Sequence, residues 1–178
     1  MKRFGVVLGL VAALTIVGFA RGDDVCVDTC VWGVRTVISK GLAGLPVTVQ
    51  PHHTFNILID TSPFTVLPGK RLRIFNVTLN VLTTAQDQEM QVNGALAVGG
   101  GGPGDFPDGQ FGLAQSQGFA TGGVGYNLSK TGEEILRIDS PVSGVTQFHF
   151  TGAADVFNNS TSPRNITQAY VVAYYAVN

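Results

Sequence analysis

Between Arg71 and Thr83 the chain alternates apolar and polar residues, with Phe75, Val77, Leu79 and Val81 set against Asn76, Thr78 and Asn80. Successive side chains on a strand point to opposite faces, so this period of two predicts a strand with one face in a core and the other in water. Leu67-Pro68-Gly69-Lys70 in front of it has turn composition, proline fixing one φ and glycine permitting a positive one. Further strands are predicted over Val31 to Ser39, Val47 to Gln50, Thr54 to Ile59, Phe64 to Leu67 and Glu89 to Val98. Beyond a glycine-rich segment come Gln110 to Ser116, Tyr126 to Lys130, Glu133 to Asp139, Val145 to Ala154 and Ile166 to Val177. After residue 22 no window carries convincing helical periodicity, and Gly or Pro interrupts nearly every long one. About ten short strands with turn signals between them predict an all-β fold, an antiparallel β-sandwich of jelly-roll type.

The first 22 residues belong to a different category. Lys2 and Arg3 precede an apolar run from Phe4 to Phe19, followed by small residues at Ala20 and Gly22. This is the pattern of a secretory signal peptide, and the run is shorter than the roughly 20 residues of a membrane span. The expectation is residues 1–22 as leader and residues 23–178 as one β-sandwich domain, secreted and not stably inserted in a membrane. Loss of Lys2, Arg3 and Arg21 leaves eight basic against twelve acidic residues, a mature charge of about −4. That balance speaks against nucleic acid as a partner, since the densest basic cluster, Lys70, Arg71 and Arg73, is too small for a phosphate-binding surface. Charged residues make up only 13% of the chain, so its wet surfaces must be built largely from Gly, Thr, Asn, Ser and Gln.

Export places Cys26 and Cys30 where oxidation is permitted. Four residues apart on an extended strand they would be about 13 Å from each other, beyond disulfide reach, so a local bridge requires a turn there. Asn-x-Ser/Thr sequons at Asn76, Asn127, Asn158, Asn159 and Asn165 exceed the roughly one expected by chance and are glycosylation candidates on a polar strand face or in loops. The segment from Gly99 to Gly109 reads as a long surface loop, with Asp105, Phe106 and Asp108 as candidate ligand-contacting residues.

Enzymatic constellations are weak. Ala114-Gln115-Ser116-Gln117-Gly118 is a relaxed nucleophile elbow followed by Asp139 and His149 in hydrolase order, but the glycine-rich stretch after it cannot supply the helix an elbow needs. Glu133 or Glu134 with Asp139 would be a carboxylate pair for glycoside hydrolysis, although the glutamates more simply occupy a turn. His52 and His53, adjacent on a strand, would point to opposite faces and make poor co-ligands, and His149 between Phe148 and Phe150 reads as solvent-facing, so no metal site and no cofactor are predicted. Trp32, Phe106, Tyr126, Tyr170 and Tyr174 could in principle form a sugar platform, with core packing as the default for Tyr170, Val172 and Tyr174 on one face of the last strand. That last strand lacks charge and proline, which favours self-association if it lies at an edge and burial if it lies inside a sheet.

The phrase Phe64-Thr-Val-Leu-Pro-Gly-Lys-Arg-Leu-Arg-Ile resembles strand openings of small exported bacterial β-sandwich proteins; it covers a small part of the chain and implies no site residues. The function expected is a secreted, non-enzymatic extracellular protein with a binding or structural role. A lectin-like carbohydrate-binding module and a small hydrolase using Ser116 are the alternatives. The partners expected are an extracellular protein, a glycan or a second copy.

Overall fold

A computed structural model describes residues 36–100, 111–139 and 146–177, in which ten strands form two antiparallel sheets. The strands are β1 Thr36–Gly41, β2 Val47–Val49, β3 Thr54–Asp60, β4 Phe64–Val66, β5 Arg71–Thr83, β6 Met90–Gly100, β7 Phe111–Phe119, β8 Tyr126–Asp139, β9 Thr146–Asn158 and β10 Arg164–Val177. Sheet one runs β1-β10-β5-β8, with β2 continuing the β1 edge along β10; sheet two runs β3-β9-β6-β7, with β4 continuing the β3 edge along β9. Counting each broken edge pair as one strand, this is the strand order of a jelly roll. Among the described residues there is no helix, and so none long and apolar enough to cross a membrane.

The sandwich is held by the alternation read from the sequence. Val77, Leu79 and Val81 of β5, Val171 and Ala173 of β10, and Val92, Leu96, Phe148, Phe150 and Val156 of sheet two are at most 1% exposed and share one core. Fully burying an aliphatic or aromatic side chain of this size contributes about 1.5–3 kcal/mol each, which is why the inner faces fix the register. β10 lies between β1 and β5, so its uncharged run from Ile166 to Val177 belongs to an interior strand and not to an edge. The turn before β5 forms as its composition requires: Gly69 has φ 71° and the Lys70 amide donates to the Leu67 carbonyl at 3.0 Å.

Several expectations are corrected. Phe75 does not continue the inward row of β5; pairing skips it on both sides, Ile74 and Asn76 facing consecutive Tyr175 and Tyr174 of β10. It is buried outside the core cluster, with the Arg73 guanidinium 5.7 Å from its ring. Such a bulge inserts one residue and reverses the parity of the strand beyond it, so Leu72 and Ile74 face inward before it and Val77 and Leu79 after it. The two strands expected over Tyr126 to Lys130 and Glu133 to Asp139 are one strand, β8, in which Gly132–Ile135 bulge out between Thr131, opposite Asn76, and Leu136, opposite Ile74. Gly99 and Gly100, expected in the loop, pair with His149 and Phe148 as the end of β6, because a buried partner strand overrides glycine's weak strand preference. His52 and His53 sit in the β2–β3 turn, His52 at φ 60°, rather than on a strand.

The leader over residues 1–22, Cys26, Cys30, Trp32, the first part of the strand expected over Val31 to Ser39, and Asp105, Phe106 and Asp108 lie outside the described residues.

Candidate functional site

Directly opposed residues on paired antiparallel strands share a sheet face, so the registers of sheet one define its outer surface as a grid. One row is Val37, Tyr174, Asn76 and Thr131; the next is Ser39, Val172, Thr78 and Ser129; the third is Gly41, Tyr170, Asn80 and Asn127. These are the residues that alternate with the core positions of β10 and β5. The tyrosines expected to pack inside are therefore outside: Ala169, Val171, Ala173 and Tyr175 face the core, while Tyr174 is 38% exposed and Tyr170 and Val172 are half-buried. The middle of the grid is an open depression of ≈ 490 Å³ lined by Asn76, Thr78, Asn80, Tyr170, Val172 and Tyr174.

The polar half of this face is organised by its own hydrogen bonds. Asn76 Nδ2 donates to Thr131 Oγ1 at 2.5 Å and more weakly to Ser129 Oγ at 3.4 Å. Thr78 Oγ1 donates to Asn76 Oδ1 at 3.1 Å and lies 2.9 Å from Ser129 Oγ. Asn127 Nδ2 donates to Asn80 Oδ1 at 2.7 Å. An amide-to-amide pair consumes one donor and one acceptor, so Asn80 and Asn127 still present N–H groups and a carbonyl oxygen side by side toward solvent. Chemically the face offers aromatic rings beside fixed amides and hydroxyls, with no charge at any grid position.

A charged cluster closes one end, at the β8 bulge. Arg73 and Arg137 both donate to Glu134, the latter at 2.8 Å, and Arg71 Nε lies 2.5 Å from Asp139. Burial alone would raise the Glu134 carboxyl, but the hydrogen bonds from Arg137 and Arg73 overcome this and hold it below the usual carboxylate range. The carboxylates considered for glycoside hydrolysis, Glu134 and Asp139, are thus bound to separate arginines.

The remaining candidates fall into structural roles. Ser116 lies on β7 with its Oγ 2.9 Å from the Tyr126 hydroxyl, which donates to the Ser116 carbonyl at 2.9 Å. Tyr126 is 5% exposed, its ring lies against Gly94 where any Cβ would overlap it, and Ser116 satisfies its phenol. Asp139 pairs with Arg71, and His149 Nε2 lies 3.7 Å from Asp60; among the described residues no hydrogen bond joins Ser116 to His149. The serine-centred alternative thus lacks its nucleophile–base contact and its strand-turn-helix, since β7 continues as strand to Phe119. His53 Nδ1 contacts the Pro51 carbonyl at 2.8 Å, and among the described residues no group of three or more His, Cys, Asp or Glu is placed to hold a metal.

The sequons separate by environment. Asn158 is fully buried at the end of β9, against the expectation of an exposed loop residue. Its Nδ2 donates to the carbonyls of Val49 and Ser162, both at 2.9 Å, and its Oδ1 accepts from the amide and hydroxyl of Ser160. A glycan on that nitrogen would break the network that joins β2, β9 and the turn into β10. Asn127 and Asn159 are exposed, and Asn76 and Asn165 half-buried.

Fold and surface together define a jelly-roll β-sandwich with an uncharged, tyrosine-bearing sheet face. No family model and no curated protein matches the chain. Among solved structures it is similar, at 10% identity and TM-score 0.32, to the structure of infectious bursal disease virus Gx strain, covering 80% of this chain and 40% of that one. The Gt strain gives 10% identity and TM-score 0.23 over 81% and 40%, and the VP2 subviral particle of the same virus 14% and 0.18 over 81% and 38%. The chain thus spans well under half the length of these matches, and likenesses so slight transfer neither architecture nor activity.

Proposed function

We propose that the protein is a secreted, non-enzymatic β-sandwich module that binds carbohydrate on the outer face of sheet one. The observation that carries this reading is the grid of Tyr170 and Tyr174 beside hydrogen-bonded Asn76, Asn80 and Asn127, on the side of the sheet turned away from the core. Aromatic rings stack on the apolar faces of sugars, and paired amides and hydroxyls match hydroxyl groups that both donate and accept. Supporting it further, the side chains that could have served hydrolysis are engaged by partners that orient a sheet or close a bulge. The leader accounts for secretion, a local Cys26–Cys30 bridge suits that compartment, and of the two exposed sequons Asn159 is the one that can carry a glycan in the folded chain, since a glycan on Asn127 would cover the grid.

The test is a printed array of neutral and acidic plant, microbial and animal glycans probed with the purified secreted chain. Binding that is lost in a Tyr170→Ala, Tyr174→Ala double variant of unchanged melting temperature is the expected result. Silence across the array, or binding that survives the double variant, removes the reading.

A further inference from the structure

We infer that the ligand is an uncharged, extended oligosaccharide lying along β10 and spanning both Tyr170 and Tyr174, an inference that rests on the carbohydrate reading of this face. Three features specify this class. First, the grid repeats along the strand. The Tyr174 row sets an aromatic ring beside the amide of Asn76 and the hydroxyl of Thr131, and the Tyr170 row sets one beside the amides of Asn80 and Asn127. Two like subsites in line match a ligand that repeats, as a chain of sugar units does. The row between them, Val172, Thr78 and Ser129, has smaller side chains and joins the two.

Second, the spacing sets a length. Four residues apart on one strand, the two tyrosines are about 13 Å from each other, a distance that no single pyranose ring covers. A monosaccharide can occupy one subsite only, and the second is reached by a trisaccharide or longer. Binding both subsites with one molecule makes the second contact intramolecular, so affinity climbs with chain length and levels off once both tyrosines are covered.

Third, the face rejects charge. None of the grid positions is charged, and Arg73 and Arg137, which share Glu134, lie beyond the Tyr174 row at one end. A uronate or sulfate laid over the Val172 and Tyr170 rows would lose water with no counter-charge in the grid to replace it.

The experiment is isothermal titration of the full secreted chain with β-1,4-linked xylose, glucose and mannose oligomers from monosaccharide to hexasaccharide, and with a galacturonic acid hexamer. For at least one neutral series, affinity is expected to rise about tenfold between the disaccharide and the tetrasaccharide. Tyr170→Ala and Tyr174→Ala are each expected to return the hexasaccharide to the affinity of the short forms, with Tyr174→Phe retaining most of it; the galacturonate hexamer should bind about tenfold more weakly than the neutral one, or worse. Monosaccharides that bind as tightly as hexamers, or galacturonate that binds as tightly as the neutral chain, overturns the inference and leaves carbohydrate binding standing. If no sugar of either kind binds while circular dichroism shows an intact β fold, carbohydrate binding itself is wrong.

Discussion

The two outer faces of the sandwich differ more than the two inner ones. Inside, both sheets present aliphatic and aromatic side chains to one core. Outside, sheet two has a plain centre, where Ala153 of β9 and Ala95 of β6 stand between Leu58 of β3 and Gln115 of β7. The rows beside it are richer: Asn56, Asp155, Asn93 and Gln117 in one, with Asn56 donating to Asp155 at 2.8 Å, then Thr54, Phe157, Gln91 and Phe119, while on the other side Asp60 takes the Thr151 hydroxyl at 2.6 Å and lies near His149. The outer face of sheet one carries two tyrosines, a valine and a connected set of amides and hydroxyls. What separates the two faces is charge and phenols: Asp60 and Asp155 stand on the outer face of sheet two, and the three rows of sheet one carry tyrosines and no charge. That uncharged pairing of phenol rings with fixed amides is why the proposed binding surface is placed on sheet one.

Perturbations of decreasing size can break or sharpen this contrast. The largest effect belongs to the interior, where the faces are alike. Gly94→Ala would drive a methyl into the Tyr126 ring and is expected to destabilise by about 1–3 kcal/mol in urea unfolding, by overpacking. A neutral result would mean that Tyr126 can move and that the Ser116 hydroxyl does not pin it. Next is the Tyr170→Ala, Tyr174→Ala pair, expected to lower oligosaccharide affinity by about tenfold or more with little change in melting temperature. The matched pair on sheet two, Leu58→Ala with Gln115→Ala, is expected to leave affinity unchanged; equal losses from both pairs would erase the distinction between the faces.

A smaller effect concerns the ion cluster bordering sheet one. Because Arg137 and Arg73 hold the folded-state carboxyl of Glu134 below its unfolded value, its contribution is complete above the ordinary glutamate range and is lost as pH falls through the lowered value. Glu134→Gln is expected to cost about 1 kcal/mol at pH 7 and to flatten the loss of stability below about pH 4, measured by urea midpoints across pH. An unchanged acid profile would exclude Glu134 as a contributor. Smallest is Leu58→Ser, on a side chain 62% exposed, where unfolding free energy should move by less than about 0.5 kcal/mol. A larger loss would show that the outer face of sheet two is covered in solution.

How far the architecture was readable depends on which signals are local. Period-two alternation from Asn76 to Thr83 in β5 and the Pro68-Gly69 turn are set by neighbouring residues and survive in the fold. The slip at Phe75 and the β8 bulge arise between strands, so they are not encoded in either strand's own pattern. The side of the sheet that Tyr170 and Tyr174 take was ambiguous for a related reason. Both faces of β10 are apolar, Ala169, Val171, Ala173 and Tyr175 against Tyr170, Val172 and Tyr174, and an interior strand has no wet edge to break the tie. The tie is broken by the match to small inward residues and the register with Asn76, Thr78 and Asn80, which only the pairing reveals. Asn158 shows the converse: its sequon is a local pattern, while its burial depends on backbone carbonyls from Val49 and Ser162.

The most direct test of the central claim is a nitrogen-15 heteronuclear titration of the purified protein with xylo-, cello- and mannohexaose, following the side-chain amides of Asn76, Asn80 and Asn127 together with the backbone amides. Saturable shifts centred on those amides and on residues 170–174, with β3, β6 and β9 unmoved, are the predicted result. Shifts centred instead on the alanine face of sheet two or on the loops at the ends of the sandwich, or no shift with any of the three sugars, would contradict it.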